Sequence, residues 1–282
     1  KHLTLNKPLT AGTYSLDGSV SSQFITGLLF TLPLLKSDSK ILVKNPSSKA
    51  YIDLTIDTLE AFNIIIKESE EGYYIKGNQT YNPANFTVHG DFSQAAFFLT
   101  AGYLHESIYA KNLTIDSTQA DKAYLAITKQ MDGKLLNEED GFRTMPSNLK
   151  ASDIDLDANP DLGPILALLA TQAEGTTTLY NAGRLRVKES DRIKSTVETL
   201  KALGADIKAT EDSMIIKGKT PLKGGVTLDS YHDHRIVMML TIAGTICEHP
   251  ITINNAHFVN KSYPHFFKDI MTLGALVEKE EA

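Results

Sequence analysis

The chain predicts an α/β fold assembled from internal repeats, and three observations carry that expectation. Strand-like and helical patterns alternate along its length. Residues 58–77 read TLEAFNIIIKESEEGYYIKG and residues 199–218 read TLKALGADIKATEDSMIIKG, an ungapped match at an offset of 141. Half of that offset recurs as well: Asn63, Gly133, Gly204 and Gly274 lie 70, 71 and 70 residues apart, each ending a helical pattern before a strand-like one. Four copies of a unit of roughly 70 residues follow. Each is expected to hold one buried helix, one amphipathic helix and several strands. Helices that are apolar on most sides suggest an inside-out arrangement, with helices central and sheets outside. A TIM barrel layers them the other way round, and periodicity alone leaves both open.

In each copy a polar turn opens the apolar helix. In the first copy Gly18–Phe24 precedes Ile25–Leu35, and a hairpin joins Ile64–Lys67 to Tyr73–Lys76 around Glu71-Gly72. A soft boundary lies near Tyr81–Asn85. In the second copy Gly90–Ala95 precedes Ala95–Leu104. In the third, Asn159-Pro160-Asp161-Leu162-Gly163 precedes Ile165–Ala173. The charge-dense run Arg184–Arg192 then opens an amphipathic helix with its apolar stripe at Ile193, Val197, Leu200 and Leu203. Gly204 is placed to close that helix as a left-handed cap. In the fourth copy His232–Arg235 precedes Ile236–Ile246, and Asn260–Pro264 precedes the final helix.

Composition bounds the function. The chain has 282 residues, 42% of them hydrophobic, which is ample for a core in one large or two medium domains. A net charge of −6 argues against nucleic acid as a partner, so any basic patch is local. No apolar run approaches the roughly 20 residues that span a bilayer, and no signal peptide follows Lys1. The single cysteine, Cys247, leaves no internal disulfide and no cysteine-rich metal site. The plain expectation is a cytoplasmic protein. Because the first residue is Lys1, a fragment of a longer protein is expected.

The turns hold the candidate chemistry. Ser21, Ser22 and Gln23 offer hydroxyl and amide groups at a helix start, suited to a phosphate or polyol, or to plain N-capping. Asp161 precedes an apolar helix, where desolvation would raise its pKa toward that of a general base; the alternative is again a cap. Two histidines around Asp233 raise a metal, but neighbouring Arg235 repels a cation, and an anion pocket with His234 for proton transfer fits better. In the charge run, Arg186, Lys188, Glu189 and Arg192 gather at a helix N-terminus, where backbone N–H groups favour an anion; a solvated face is the other reading.

Taken together, SSQF (21–24), PSSKAYIDLT (46–55), NPD (159–161), GTTTLYNAGRLRVKESDR (175–192), DHR (233–235) and NKSYPHFF (260–267) resemble, in order, the family of 5-enolpyruvylshikimate-3-phosphate synthases. The resemblance covers essentially the whole chain. It implies two inside-out lobes of βαβαββ units, four of the family's six being present. Residues 1–87 would be the end of the shikimate 3-phosphate lobe, and 88–282 most of the second lobe. The family's early Lys-Ser motif, Asn-x-Gly-Thr loop and Arg-Pro segment have no match, so this polypeptide alone is expected to be inactive.

The implied reaction transfers the enolpyruvyl group of phosphoenolpyruvate to the 5-hydroxyl of shikimate 3-phosphate and releases phosphate, with no metal or organic cofactor. The resemblance implies that Ser21, Ser22, Gln23, Ser48 and Tyr51 bind shikimate 3-phosphate. Asp161 would hold its hydroxyls and act as base, and Lys188 would contact both substrates. Arg192, Arg235 and Lys261 would clamp phosphoenolpyruvate, and Glu189 would handle the proton at the enol carbon with His234 adjacent. No membrane partner is implied, and the full-length protein is expected to be a monomer. Which side chain of Arg184-Leu185-Arg186 lines the site is left open. Two alternatives remain: UDP-N-acetylglucosamine enolpyruvyl transferase, whose catalytic cysteine Cys247 matches poorly, and a folded substrate-binding fragment without turnover.

Overall fold

The computed structural model describes residues 4, 7–18, 21–46 and 49–279, so the expected ligand Ser48 lies outside the described residues. The chain divides into two units: residues 1–88 with 118–120, and residues 89–117 with 121–282. Among the described residues no helix is long and apolar enough to cross a membrane.

In the first unit, β1 (Thr13–Asp17), α1 (Ser22–Thr31), β2 (Ser39–Lys44), α2 (Lys49–Ala61), β3 (Ile66–Ser69) and β4 (Gly72–Ile75) follow one another. The sheet runs β1-β2-β4-β3. β1 pairs with β2 in parallel across the α1 crossover, and the other pairings are antiparallel. Ile41, Ile66, Tyr73 and Ile75 meet Ile25, Leu29, Ile52 and Leu59 in one core. The hairpin starts two residues later than expected: Ser69 opposes Gly72, so Glu70-Glu71 form the two-residue turn. Gly72 is the first strand residue, because a Cβ there would lie 2.1 Å from the Ile41 carbonyl oxygen. α1 is also shorter than expected. Pro33, with no N–H to donate, ends it in a 3-10 turn at Leu32–Leu34. Nor is α1 buried on most sides: Ile25 and Leu29 face the core while Phe24 and Phe30 are exposed.

The second unit begins with α3 (Phe92–Leu104), β5 (Ile108–Lys111), α4 (Ala123–Gln130), β6 (Lys134–Glu138) and β7 (Gly141–Met145), whose strands form the sheet β5-β7-β6. Next come β8 (Ile154–Asp155), α5 (Gly163–Thr171), β9 (Gly175–Tyr180), α6 (Arg192–Ala202), β10 (Asp206–Ala209) and β11 (Met214–Gly218), in the order β10-β11-β9-β8. Last are β12 (Thr227–Asp229), α7 (His234–Gly244), β13 (Thr252–Asn254) and α8 (Phe266–Thr272), with β12 parallel to β13. The first helix of each copy is the buried one here: every residue of α5 and ten residues each of α3 and α7 are buried. These three pack on one another in the centre of a single core.

The repeat is exact in one backbone detail that the sequence misplaces. The second helix of each copy ends at Ala61, Gln130, Ala202 or Thr272, and the residue two positions later is left-handed: Asn63, Asp132, Gly204 and Gly274, at φ 68°, 60°, 104° and 97°. In the second copy that residue is Asp132, not Gly133. Gly133 is there for room, since a Cβ would meet the Thr128 carbonyl oxygen at 2.7 Å and the Tyr103 ring at 2.8 Å.

Candidate functional site

Side-chain caps open three of the four apolar helices. Ser21 Oγ accepts the Gln23 N–H at 3.2 Å at the start of α1. Asp91 accepts from the Ser93 and Gln94 N–H groups at the start of α3. Asp233 accepts the Arg235 N–H at 2.9 Å at the start of α7. The fourth case differs. Asn159-Pro160 starts a 3-10 turn, Pro160–Leu162, and α5 begins behind Leu162 with no side-chain cap. Asp161 is thereby released from capping, and its carboxylate turns to cations.

Those cations come from three places in the second unit. Arg192, the first residue of α6, is 1% exposed and bonds three carboxylates. Its Nη1 donates to Asp161 Oδ1 at 2.7 Å, its Nη2 to Glu189 Oε2 at 2.6 Å, and its Nε and Nη2 to Asp233 at 2.7 and 3.2 Å. From the first turn of α7, Arg235 Nη2 donates to Asp161 Oδ2 at 3.1 Å. Lys188 Nζ lies 3.5 Å from Asp161 Oδ1. Lys261, at the end of the 3-10 turn Ala256–Lys261, pairs with Glu189. The structure therefore brings Asp161, Lys188, Glu189, Arg192, Arg235 and Lys261 into one network, while buried His234 has its Nδ1 3.8 Å from Asp233 Oδ1 and without a hydrogen-bond partner among the described residues. Ser21, Ser22, Gln23 and Tyr51 belong to the first unit: Ser21 caps, Gln23 is exposed, and Tyr51 lies half-buried in the first turn of α2.

Local structure explains the placement of the charge run. Leu185, fully buried, anchors the 3-10 turn Gly183–Val187 against the start of α5, where a Cβ on Gly163 would lie 2.8 Å from Leu185 Cδ1. Lys188 and Glu189 follow directly and are carried to Asp161 and Lys261. Arg186 is structural: it donates to the Glu211 and Thr210 carbonyls at 2.6 and 2.7 Å and to Asp191 at 2.8 Å, tying down the β10–β11 turn. Arg184 Nη1 reaches the Asp157 carbonyl at 3.3 Å. The α6 N-terminus is not an open anion seat, as the sequence suggests. Asp191 caps it through the Lys194 N–H at 3.0 Å, so a carboxylate already meets the helix dipole.

Arg235 carries two open donors. Its side chain is buried, and Nε and Nη1 have no partner among the described residues. Buried guanidinium donors are costly to leave unpaired, and a planar fork suits a phosphate or carboxylate. Arg192 by contrast spends its donors on protein carboxylates. Among the described residues no group of three or more His, Cys, Asp or Glu side chains could hold a metal ion.

Ionisation follows from this packing. Burial alone would raise the Asp161 pKa, as expected, but Arg235, Lys188 and Arg192 outweigh it and hold the carboxyl well below the usual range. Glu189 is likewise desolvated, yet Lys261 and Arg192 bring it down to about 2. Burial, helped by the charge of Arg235, lowers His234 to about 4, so the imidazole is neutral near pH 7. Cys247 lies in the turn beyond α7 rather than on the helix, and burial pushes its thiol up to about 11.

The sequence pattern names Asp233 and Asn159 only as members of their turns and assigns no binding or catalytic role to them, to Ser190 or to Asp121. Asp233 is fully buried and takes Arg192, the Arg235 N–H and the Ser190 hydroxyl, the last at 3.0 Å. Its position before an apolar helix signals a cap, and that signal was readable. Asn159 Nδ2 donates to the buried Asp121 Oδ1 at 3.4 Å, a pairing 38 residues apart that no local pattern announces.

The EPSP synthase family model, described as EPSP synthase (3-phosphoshikimate 1-carboxyvinyltransferase), matches residues 2–270. The 3-phosphoshikimate 1-carboxyvinyltransferase of Clostridium novyi is 46% identical over 279 residues, 98% of this chain and 64% of that protein. That of Clostridioides difficile is 42% identical over the same shares. The chain thus spans about 64% of the length of the curated relatives it matches. The solved EPSP synthase of Acinetobacter baumannii superposes with a TM-score of 0.82 at 29% identity, over 96% of this chain and 64% of that one. The enolpyruvyl transferase NikO of Streptomyces tendae gives 0.77 at 19% identity, over 96% of this chain and 65% of that one, a likeness of fold.

Proposed function

The chain belongs to the EPSP synthase family, and from that premise we propose that it carries the catalytic half of an enolpyruvyl transfer site. The reaction moves the enolpyruvyl group of phosphoenolpyruvate to the 5-hydroxyl of shikimate 3-phosphate and releases phosphate. The observation that carries this reading is Arg235: two buried, unpartnered donors in the same ion network as Lys188, Lys261 and the carboxylates Asp161 and Glu189.

Arg235, Lys261 and Lys188 take the phosphate and carboxylate of phosphoenolpyruvate. Arg192 acts mainly as the hub that holds Asp161, Glu189 and Asp233 in register. Asp161 accepts hydrogen bonds from the shikimate hydroxyls and takes the proton of the attacking one. Its low pKa reflects three facing cations, and an anion that engages Arg235 and Lys188 restores its basicity. Glu189 gains a proton-transfer role in the same way, once Lys261 turns to the ligand. Neutral His234 adds no repulsion to Arg235. In the first unit Ser21, Ser22, Gln23, Ser48 and Tyr51 serve shikimate 3-phosphate.

The fold reading goes with it. Three mutually packed buried helices with separate sheets support inside-out lobes, with four of the family's six units here. Residues 1–87 and 88–282 are assigned to the two lobes, and the full-length protein acts as a cytoplasmic monomer without metal or cofactor. The high Cys247 pKa speaks against a thiol-dependent sister reaction on UDP-N-acetylglucosamine.

The test is release of inorganic phosphate by the protein that carries this chain. Release that requires both phosphoenolpyruvate and shikimate 3-phosphate is expected. Release with UDP-N-acetylglucosamine in place of shikimate 3-phosphate would overturn the assignment, and binding of both substrates without release would leave only a binding protein.

A further inference from the structure

A groove in the second unit shares no residue with the ion network and plays no part in the roles above. It runs between α4 and the β6–β7 hairpin and has a volume of about 720 Å³. Small-molecule sites are mostly apolar clefts of roughly 300–1,000 Å³ with a few polar groups that orient the ligand. Buried Leu125 and Phe142 line this one together with Ile115 and Leu136, which are 52% and 47% exposed. Lys122 Nζ donates to the Ile115 carbonyl at 2.8 Å and closes one end. Lys129 and Lys134 border the other end. Neither forms a salt bridge among the described residues, and the flanking carboxylates Asp132 and Glu138 are taken by Lys150 and Arg143.

The first copy holds the same groove with the opposite charge. Its lining residues Asp53, Asp57, Glu60 and Glu68 stand 69 residues before Lys122, Ala126, Lys129 and Asn137. There Lys49 Nζ reaches Asp53 at 2.6 Å and Glu68 at 3.3 Å, so that copy offsets part of its own charge, and the cavity is smaller, about 310 Å³. The repeat therefore sets the groove, and the side chains set what it accepts. In the second copy two lysines, an alanine and an asparagine replace four carboxylates, and no carboxylate of the lining balances the lysines.

We propose that the α4–β6 groove is a binding site for an amphiphilic monocarboxylate, its apolar body lying along Ala126, Leu135 and Phe142 and its carboxylate meeting Lys129 and Lys134. From Lys122 to Lys129 the helix rises about 10 Å, which suits an acyl chain of medium length. The site is separate from the Arg235 seat and stands whether or not that seat takes phosphoenolpyruvate. Lysines near a helix C-terminus also serve its dipole. That role alone predicts lower stability on their removal and no effect on a ligand.

The probe is octanoate, titrated calorimetrically below micelle-forming concentrations into the protein that carries this chain. Octylammonium and octanol present the same chain with the opposite charge and with none. Saturable binding of octanoate to one site is expected, at least tenfold tighter than that of octylammonium. Lys129→Gln with Lys134→Gln should weaken octanoate at least fivefold and leave octanol unchanged, and Lys129→Arg with Lys134→Arg should retain octanoate. Ala126→Trp, at an exposed position of α4, fills the groove and should abolish binding. Leu136→Asn should weaken it by removing an apolar wall, and serves if the tryptophan variant does not fold. No saturable binding by the wild type, equal affinity for octanoate and octylammonium, binding indifferent to the glutamine pair, or full binding in a folded groove variant would each overturn the proposal.

Discussion

In the proposed reaction, Asp161 concentrates the chemistry at the scale of one side chain. Asp161→Asn in the active protein is expected to lower kcat by roughly 100- to 10,000-fold, the range for loss of a positioned general base. Unchanged kcat with a raised KM would make Asp161 a binding group only. The site also sets a pH dependence of stability. Glu189 and Asp161 have folded pKa values below their unfolded ones, so their stabilisation is complete above about pH 5 and fades as pH falls, through about 2 for Glu189. His234 titrates near 6.5 unfolded and about 4 folded, so the unfolded state takes up its proton first and stability declines from about pH 6.5 to 4. The melting temperature of the second unit should fall in that upper window, and His234→Gln should remove that part of the decline. A wild-type melt that is flat between pH 6.5 and 4 would contradict the buried neutral imidazole. The sequence pointed to Lys188–Arg192 because charges crowd a short run. It left Asp121 silent, because one aspartate in a short polar turn looks like any other.

Helix ends and turns are the next scale, and they give contrasting glycines. Gly133→Ala should destabilise by about 1–3 kcal/mol in chemical denaturation, because backbone and the Tyr103 ring occupy the space a methyl needs. Gly204→Ala has room, with no atom nearer than 3.6 Å, but sits at φ 104°, so its loss of about 1 kcal/mol is conformational. Equal effects at both, or none at Gly133, would undo that distinction. The helix periods and the roughly 70-residue repeat were legible because packing imposes them on apolar spacing. The capping pattern was legible only as a choice between cap and ligand. Ser21 and Asp233 cap, and Asp161 does not, since the 3-10 turn beginning at Asn159-Pro160 displaces it from the capping position.

At the scale of the molecule, two cores share no residue: one around Ile41 and Leu29, the other around α3, α5 and α7. Leu166→Ala, in the wholly buried α5, should cost about 2–5 kcal/mol and depress the unfolding transition of the second unit while leaving that of the first in place. Ile41→Ala should do the reverse. A single transition moved equally by both would mean that the units unfold together.

The sequence by itself determined the repeat, the alternation of buried and amphipathic helices from α3 onward, and the motifs that place the chain in its family, because all of these reside in local spacing and composition. Only the tertiary structure decided which charges meet. Arg186 proved to be a strut, Arg192 a hub bonded to three carboxylates, and Arg235 the guanidinium with donors to spare. It also reversed the expected pKa of Asp161, since desolvation follows from the neighbouring apolar helix but the opposing cations arrive from residues 27, 31 and 74 positions away. Coulomb interactions act over distance in space, and distance in space is what a sequence leaves unstated.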